Sequence, residues 1–439
     1  MERATDLAGL IRVFQSEPLR NENFNKFYVD ASEARGNDSA FCLIDYFRIN
    51  INKPKKVLFM GHRGCGKSTE LERVRKELEP VFFVTTFSIK DEIDTIDLNY
   101  IDLIFVILDK LLQALEPHNI EINPDILKNL YDYWHDEKIY NIFKTDKMEA
   151  EVIAGAKLNF LTAMMFSVKG VLKTGKETKE EVRRIITAKI SQLMLGINDL
   201  IDNISSRLKE VGKVPILIVE DLDKLDISVA KDLFLYHKNT LTELNIHIIY
   251  TFPIFLHYSH DFSEIEQSFD HNEFLYMIKV HNKDYTYHPI GIELIKKIIS
   301  ERSDSDNLFI DGSLEYLIKQ SGGALRNLFE MILNASLKSR GRKIDKIDME
   351  SAKFAYIKLR SGFERTISRK HVDTLKRIYE DPNKNPFIDD TNLDVNDNLK
   401  ELLKSLAVIE YTGERWCDLN PAVVDILDSK KIIIKKNIV

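Results

Sequence analysis

Short apolar runs alternate with stretches of helical periodicity as far as Val280, and helical periodicity dominates the rest of the chain. Val57–Met60 (VLFM), Val81–Phe87 (VFFVTTF), Ile216–Val219 (ILIV), Ile246–Phe252 (IHIIYTF) and Leu275–Val280 read as strands. Each is nearly continuous in apolar, β-branched or aromatic residues, the pattern of strands buried on both faces. Between them, Glu70–Glu79, Asp97–Glu116 and Ser228–Leu244 read as helices. Ile101, Ile104, Phe105, Leu108, Leu111 and Leu112 recur at threes and fours, one apolar stripe of a helix. A longer stripe runs from Val182 through Ile186, Ile190, Leu193, Met194, Ile197, Leu200, Ile201 and Ile204 to Leu208. It predicts one long amphipathic helix, opened by a capping box of Thr178 and Glu181, whose stripe packs within the chain or, as the alternative, serves as a partner-binding lever.

Strands alternating with helices predict an α/β fold with a parallel sheet. Residues 1–50 form an N-terminal approach, in which Phe27-Tyr28-Val29 looks strand-like, Asp30 to Gly36 looks like a loop, and Arg35 looks like a surface residue. Residues 51–285 form the α/β core, interrupted at about 117–212 by a helical insert. From Pro289 the chain turns to helices: Gly291–Arg302, Ser313–Ser321 and Ala324–Ser339 predict a helical lid over 286–362. Residues 363–439 carry helices to Tyr379 and over Asp397–Leu406. Strand-like Ala407–Tyr411 and Trp416–Leu419 then flank a Thr412-Gly413 turn, and Pro421–Leu427 starts a last helix. Helices followed by a small hairpin predict a winged-helix-like domain.

The chemistry concentrates at Gly61–Thr69 (GHRGCGKST), between the first strand and the first long helix. Strand, glycine-rich turn and helix is the order a phosphate-binding loop requires. Gly61, Gly64 and Gly66, with Cys65 among them, let successive N–H groups turn toward an anion. The helix N-terminus adds its partial positive charge. Lys67 is placed to reach the β- and γ-phosphates of ATP, Ser68 to ligate Mg²⁺, and Thr69 follows in the first helical turn. The run Ile216–Val219 enters Glu220-Asp221-Leu222-Asp223-Lys224. A buried strand ending in two carboxylates supplies the other half of such a site: Glu220 for the Mg²⁺ shell, Asp221 for the attacking water.

Composition narrows the alternatives. The 439 residues carry a net charge of −7, which gives no global pull toward nucleic acid or anionic lipid. Cys42, Cys65 and Cys417 are scattered, which suits a reducing cytoplasm and argues against structural zinc or a disulfide framework. The start, MERATDLAGL, lacks the apolar core of a signal peptide. The most apolar stretch of the insert, Leu158–Val168, is too short for a membrane span, which takes about 20 residues. No transmembrane segment is expected.

These motifs resemble those of AAA+ and STAND-type ATPases, most closely the origin-recognition-like AAA+ group found as stand-alone bacterial P-loop ATPases. GHRGCGKST matches Walker A and VEDLDKLD matches Walker B, with Glu220 and Asp221 in the reverse of the usual Asp-Glu order. The resemblance implies that Thr251 stands at sensor 1, where Asn is usual. It implies that SGGALRNL starts a sensor 2 helix and brings Arg326 over the γ-phosphate. The family's rings donate an arginine finger from between sensor 1 and the lid, whereas this chain has no arginine from Glu210 to Glu301. The short carboxylate at Asp221 and the missing finger imply slow hydrolysis. The insert lies where KAP ATPases carry membrane helices, but its short apolar run does not carry that assignment over.

The resemblance implies an ATP-dependent molecular switch that regulates a protein effector, or self-associates, in a bacterial defence or signalling module. Two other readings stand beside it: a DNA-associated initiator or loader, and a nucleotide-dependent scaffold that does not hydrolyse ATP. Arg369–Asp428 holds eight Lys and Arg against thirteen Asp and Glu, which disfavours duplex DNA. Tyr411, Arg415 and Trp416 are either anchors of a protein interface or filling for the small domain's core.

Overall fold

The expected buried strands meet in one five-stranded sheet in the computed structural model, which describes residues 1–118, 122, 123, 125, 126, 170, 176–310, 312–384, 393–411 and 416–436. Leu158–Val168, the Thr412-Gly413 turn and Arg415 lie outside them. The strands are β1 (Lys56–Gly61), β2 (Phe82–Ser88), β3 (Val214–Glu220), β4 (His247–Phe252) and β5 (His271–Leu275). They pair parallel throughout, in the order β2-β3-β4-β1-β5. β1, β3 and β4 are buried along nearly their whole length, as their unbroken apolar runs require. The register sets Ser88 beside Glu220 and Phe59 beside Thr251, so the carboxyl ends of β1 to β4 converge on one edge. Ligands of open α/β sheets bind at that edge.

Several expectations change. The last strand is His271–Leu275 rather than Leu275–Val280. It is an edge strand paired only with β1, so its first residues stay half exposed and polar. Met277, Ile278 and Val280 are buried outside the sheet. They lie under the lid, where Gly323 approaches the Ile278 carbonyl and Gly291 the Lys279 carbonyl too closely for any Cβ. Phe27-Tyr28-Val29 is not a strand: Asn21–Phe27 is helical and Tyr28 folds its ring onto Phe24, with centroids 4.4 Å apart. The loop at Asp30–Gly36 contains a helical turn, Ser32–Arg35. The long helix is two, Lys176–Ala188 and Ile190–Glu210, broken at Lys189. The side chain of Thr178, the expected cap, lies outside the described residues. The stripe itself holds: Val182, Ile186, Leu193, Met194, Ile197, Leu200, Ile201, Ile204 and Leu208 are all buried. Asp102, fully buried, pairs with Arg183 and fastens the first helix to Tyr100–Leu115.

Ser228–Leu244 likewise breaks, into Ile227–Lys231, a π-helical turn at Asp232–Tyr236 and Lys238–Thr242. The lid contains Pro289–Arg302, Ser313–Gln320 and Leu325–Gly341, and an unanticipated helix, Met349–Thr366, packs on the last of these. Helices Val372–Glu380 and Leu393–Lys404, the antiparallel pair β6 (Val408–Tyr411) and β7 (Trp416–Leu419), and Pro421–Ser429 follow in winged-helix-like order. Tyr411 and Trp416 stack on each other at 4.6 Å and are buried at 0% and 3% exposure. That removes them as exposed interface anchors; they fill the core.

Candidate functional site

A cleft of about 420 Å³ opens at the carboxyl edge of the sheet, between the loop after β1, the end of β3, the N-terminal segment and the lid. The loop owes its shape to glycine. Gly61 has φ 150°, and a Cβ there would lie 2.5 Å from the Leu275 carbonyl oxygen. Gly64 has φ 74°, and a Cβ there would lie 2.5 Å from Arg326 Cβ. Both residues are fixed by what presses on them as well as by their turn. Gly66 caps the helix Lys67–Leu78, and Cys65 is buried beneath the loop.

Lys67 is 7% exposed and points back along the loop. Its Nζ donates to the carbonyls of Gly61 and His62, each at 2.8 Å, and lies 3.0 Å from Asp223 Oδ2. Asp223, the third acidic residue of the Walker B stretch, thus belongs to the site although the motif alone assigned it no role. Ser68 lies beside Glu220 and helps to hold its charge. Thr69 Oγ1 accepts the Leu19 N–H at 3.4 Å.

The two carboxylates diverge. Glu220 is 3% exposed; burial raises its pKa above the usual range, against the opposing pull of Arg20 and Ser68. Arg20 Nη2 donates to Glu220 Oε1. Asp221 has φ 71° and turns toward β2, where its Oδ2 accepts from Ser88 Oγ at 2.8 Å and its Oδ1 pairs with Lys224. Burial works against its charge, but Lys224 and Ser88 hold its pKa below the ordinary carboxylate value. Thr251 is 2% exposed and its hydroxyl is engaged twice, accepting from Leu222 N–H at 3.0 Å and donating to the Val219 carbonyl at 3.1 Å. It braces the turn that carries Glu220 and Asp221.

Arg326 begins the helix Leu325–Gly341 against Gly64, half buried at the cleft, and forms no hydrogen bond or ion pair among the described residues. Arg302, the first arginine after Arg207, also lines the cleft. It stacks on Phe329 at 4.9 Å, and burial pulls its pKa down to about 10. Arg35 is not at the surface. It is 3% exposed, and its guanidinium donates to the carbonyls of Tyr276 and Cys65, the second at 2.6 Å, bracing the phosphate loop from behind.

One contact ties the loop to the far end of the chain. His62 is fully buried, and its Nε2 accepts the Glu410 N–H of β6 at 2.8 Å. Burial, with Lys67 adding to it, lowers the His62 pKa to about 3, so the ring is neutral at ordinary pH and free to accept. The same hairpin reaches the lid, where Tyr411 Oη donates to the Gly322 carbonyl at 2.6 Å.

The donor set suits Mg²⁺, a hard cation that takes one or two protein oxygens and completes its shell with waters and phosphates. Ser68 and Glu220 are adjacent oxygen donors. Among the described residues no cluster of three or more His, Cys, Asp or Glu could hold a metal alone. Ser68 and Glu220 would hold the ion; Gly61–Thr69 and Lys67 would hold the phosphates.

Strand, loop, helix, lysine and the acidic end of β3, a parallel strand separated from β1 by β4, together make a P-loop nucleotide site. No protein-family model and no curated protein sequence matches the chain. Solved structures do match. The Walker-type ATPase PABY2304 of Pyrococcus abyssi is 18% identical, with 94% of this chain and 99% of that one covered and a TM-score of 0.46. The Aeropyrum pernix ORC2 protein in its ADP form is 11% identical, over 96% and 97%, with a TM-score of 0.43. The Aeropyrum pernix ORC1 protein in complex with DNA is 11% identical, over 96% and 97%, with a TM-score of 0.38. The chain is similar to AAA+ P-loop ATPases near the origin-recognition group.

Proposed function

We propose that the protein is an ATP-binding, slowly ATP-hydrolysing switch in which nucleotide at Gly61–Thr69 alters the docking of the lid and the C-terminal hairpin. The observation that carries this reading is the hydrogen bond from Glu410 N–H to His62. It makes a residue of the phosphate loop a direct ligand of the C-terminal unit. Arg326 supports it from the lid side, as a half-buried cation held against the loop at Gly64.

In this reading Lys67 leaves Asp223 for the β- and γ-phosphates, and Ser68 and Glu220 face the metal side. Mg²⁺, when bound, neutralises charge on the phosphates. Asp221 orients the attacking water, and Thr251 keeps its turn in place. Glu220 before Asp221, and the lack of arginine from Glu210 to Glu301, both argue for slow turnover. The partner is a protein effector or a second copy of the chain, in a bacterial defence or signalling module, as the resemblance suggests. The acidic balance of Arg369–Asp428 supports a protein partner over duplex DNA. No helix among the described residues is long and apolar enough to cross a membrane.

The test is single-turnover hydrolysis of ATP with Asp221→Asn. Asn tolerates the left-handed backbone at this position, so the turn should survive. Nucleotide affinity is expected to stay within about threefold of wild type while the hydrolysis rate falls by about 100-fold or more. If Glu220→Gln instead spares binding and stops turnover, while Asp221→Asn loses metal, the two roles are reversed. A wild-type protein that binds ATP and never turns it over would favour the scaffold.

A further inference from the structure

The cation facing Glu220 comes from the N-terminal segment, which no motif marks. Leu19 N–H donates to Thr69 Oγ1 at 3.4 Å and Asn21 N–H donates to Glu72 Oε1 at 2.9 Å. Both acceptors belong to the helix that starts at Lys67. The chain is therefore strapped across the start of that helix at two points. Asn21 takes φ 49°, a left-handed backbone that asparagine accepts more readily than most residues. Between the two points Arg20 spans two acidic side chains, bonded to Glu220 Oε1 and 3.5 Å from Glu72 Oε2. Those side chains are 4% and 2% exposed, whereas Arg20 is 33% exposed and reaches them from the cleft. Glu72 also pairs with Arg75 at 2.7 Å, whereas Glu220 has no ion-pair partner besides Arg20 among the described residues.

We propose that Arg20 and a divalent cation compete for Glu220, so that filling the metal side of the site releases the strap at residues 19–21. The proposal rests on reading Glu220 as the metal-side carboxylate. Two cations on one buried carboxylate repel each other, so a divalent cation on Glu220 weakens the charge-assisted hydrogen bond that Arg20 makes to Oε1. Arg20 is thus a positioning residue that sets the metal affinity of the site and carries its state to the N-terminal segment. It also places an arginine in cis in a site whose usual source of one, between sensor 1 and the lid, holds none.

The test uses the full-length protein, a fluorescent ADP analogue and a Mg²⁺ titration. With Arg20→Ala the Mg²⁺ midpoint for analogue binding is expected to fall by about 10-fold or more, the weight of one hydrogen bond to a charged group. Arg20→Lys keeps the charge without the fork and should fall in between. In wild type, tryptic cleavage after Arg20 should be faster with Mg²⁺ and ADP than with ADP and EDTA. An unchanged or raised midpoint in Arg20→Ala, or equal cleavage rates, overturns the proposal. If the analogue fails to bind wild type, or its binding survives Lys67→Ala, the P-loop reading falls and the proposal with it. Lys67-dependent binding with an unmoved Mg²⁺ midpoint sinks the proposal alone.

Discussion

Lys67→Ala is expected to abolish measurable ATP binding and to destabilise the protein at the same time. The two effects have separate causes. The ammonium is the only Lys or Arg of the Gly61–Thr69 motif that pairs with Asp223, and it is the group placed to meet the β- and γ-phosphates. Its loss should cost at least about 100-fold in affinity, two factors of ten at about 1.4 kcal/mol each. Without it Asp223, whose side chain is 5% exposed, is left as a buried charge without its partner. Breaking a buried pair by removing one member costs about 3–5 kcal/mol. The carbonyls of Gly61 and His62 lose a donor as well. Calorimetric titration with ATP and urea denaturation measure the two effects independently. Adding Asp223→Asn should recover much of the stability and none of the affinity. Retained micromolar affinity in Lys67→Ala would remove the phosphate-loop assignment.

Asp418→Asn is expected to cost about 3–5 kcal/mol, because it breaks a buried ionic node that joins β7 to the core. Asp418 and Lys384 are 2% and 1% exposed in their side chains, 3.0 Å apart. The other carboxylate oxygen takes His281 Nε2 at 3.1 Å, and the Leu419 N–H donates to Oδ1 at 2.8 Å. Asparagine keeps the shape and removes the charge, leaving Lys384 buried without its counterion. The double variant Asp418→Asn with Lys384→Met should regain most of the loss, since it removes both charges together. The pH dependence has a defined sign. Burial raises the Asp418 pKa, but His281 and Lys384 together hold it below the usual carboxylate value. A carboxylate with a depressed folded pKa contributes stability that is present above its unfolded pKa and is lost as pH falls through the folded one. The node should therefore hold across neutral pH and fail only in strong acid, below the ordinary Asp range. Urea midpoints for the single and double variants at neutral pH test the energy. An unchanged midpoint for Asp418→Asn would contradict it.

The features legible in the sequence were those contiguous along it. Walker A, the acidic end of β3 and four of the five sheet strands announce themselves because each is a short run with one dominant physical demand: a turn around an anion, or burial on both faces. β5 did not, because an edge strand paired on one side keeps polar residues such as His271 and Asn272, and the apolar run after it is buried by the lid instead. Met349–Thr366 was also missed, since its exposed Phe354 and Ile357 blur the stripe. The contacts that complete the site join distant positions. Arg20 and Glu220 are 200 residues apart, and His62 and Glu410 are 348 apart. Arg35 read as a surface residue for the same reason, its partners being backbone carbonyls at Cys65 and Tyr276. Thr251 sat where a sensor was expected, and the structure spends its hydroxyl on the turn above β3.

In the proposed switch, the phosphate loop couples to the C-terminal hairpin through His62. Amide hydrogen exchange at Glu410, followed with and without saturating Mg²⁺ and a non-hydrolysable ATP analogue, tests it most directly. Phosphate held by the loop should fix His62 and its bond to the Glu410 N–H, so protection there should rise by about 10-fold, or about 1.4 kcal/mol of local opening energy. Exchange at Glu410 that stays the same when calorimetry shows the site to be full would contradict the account.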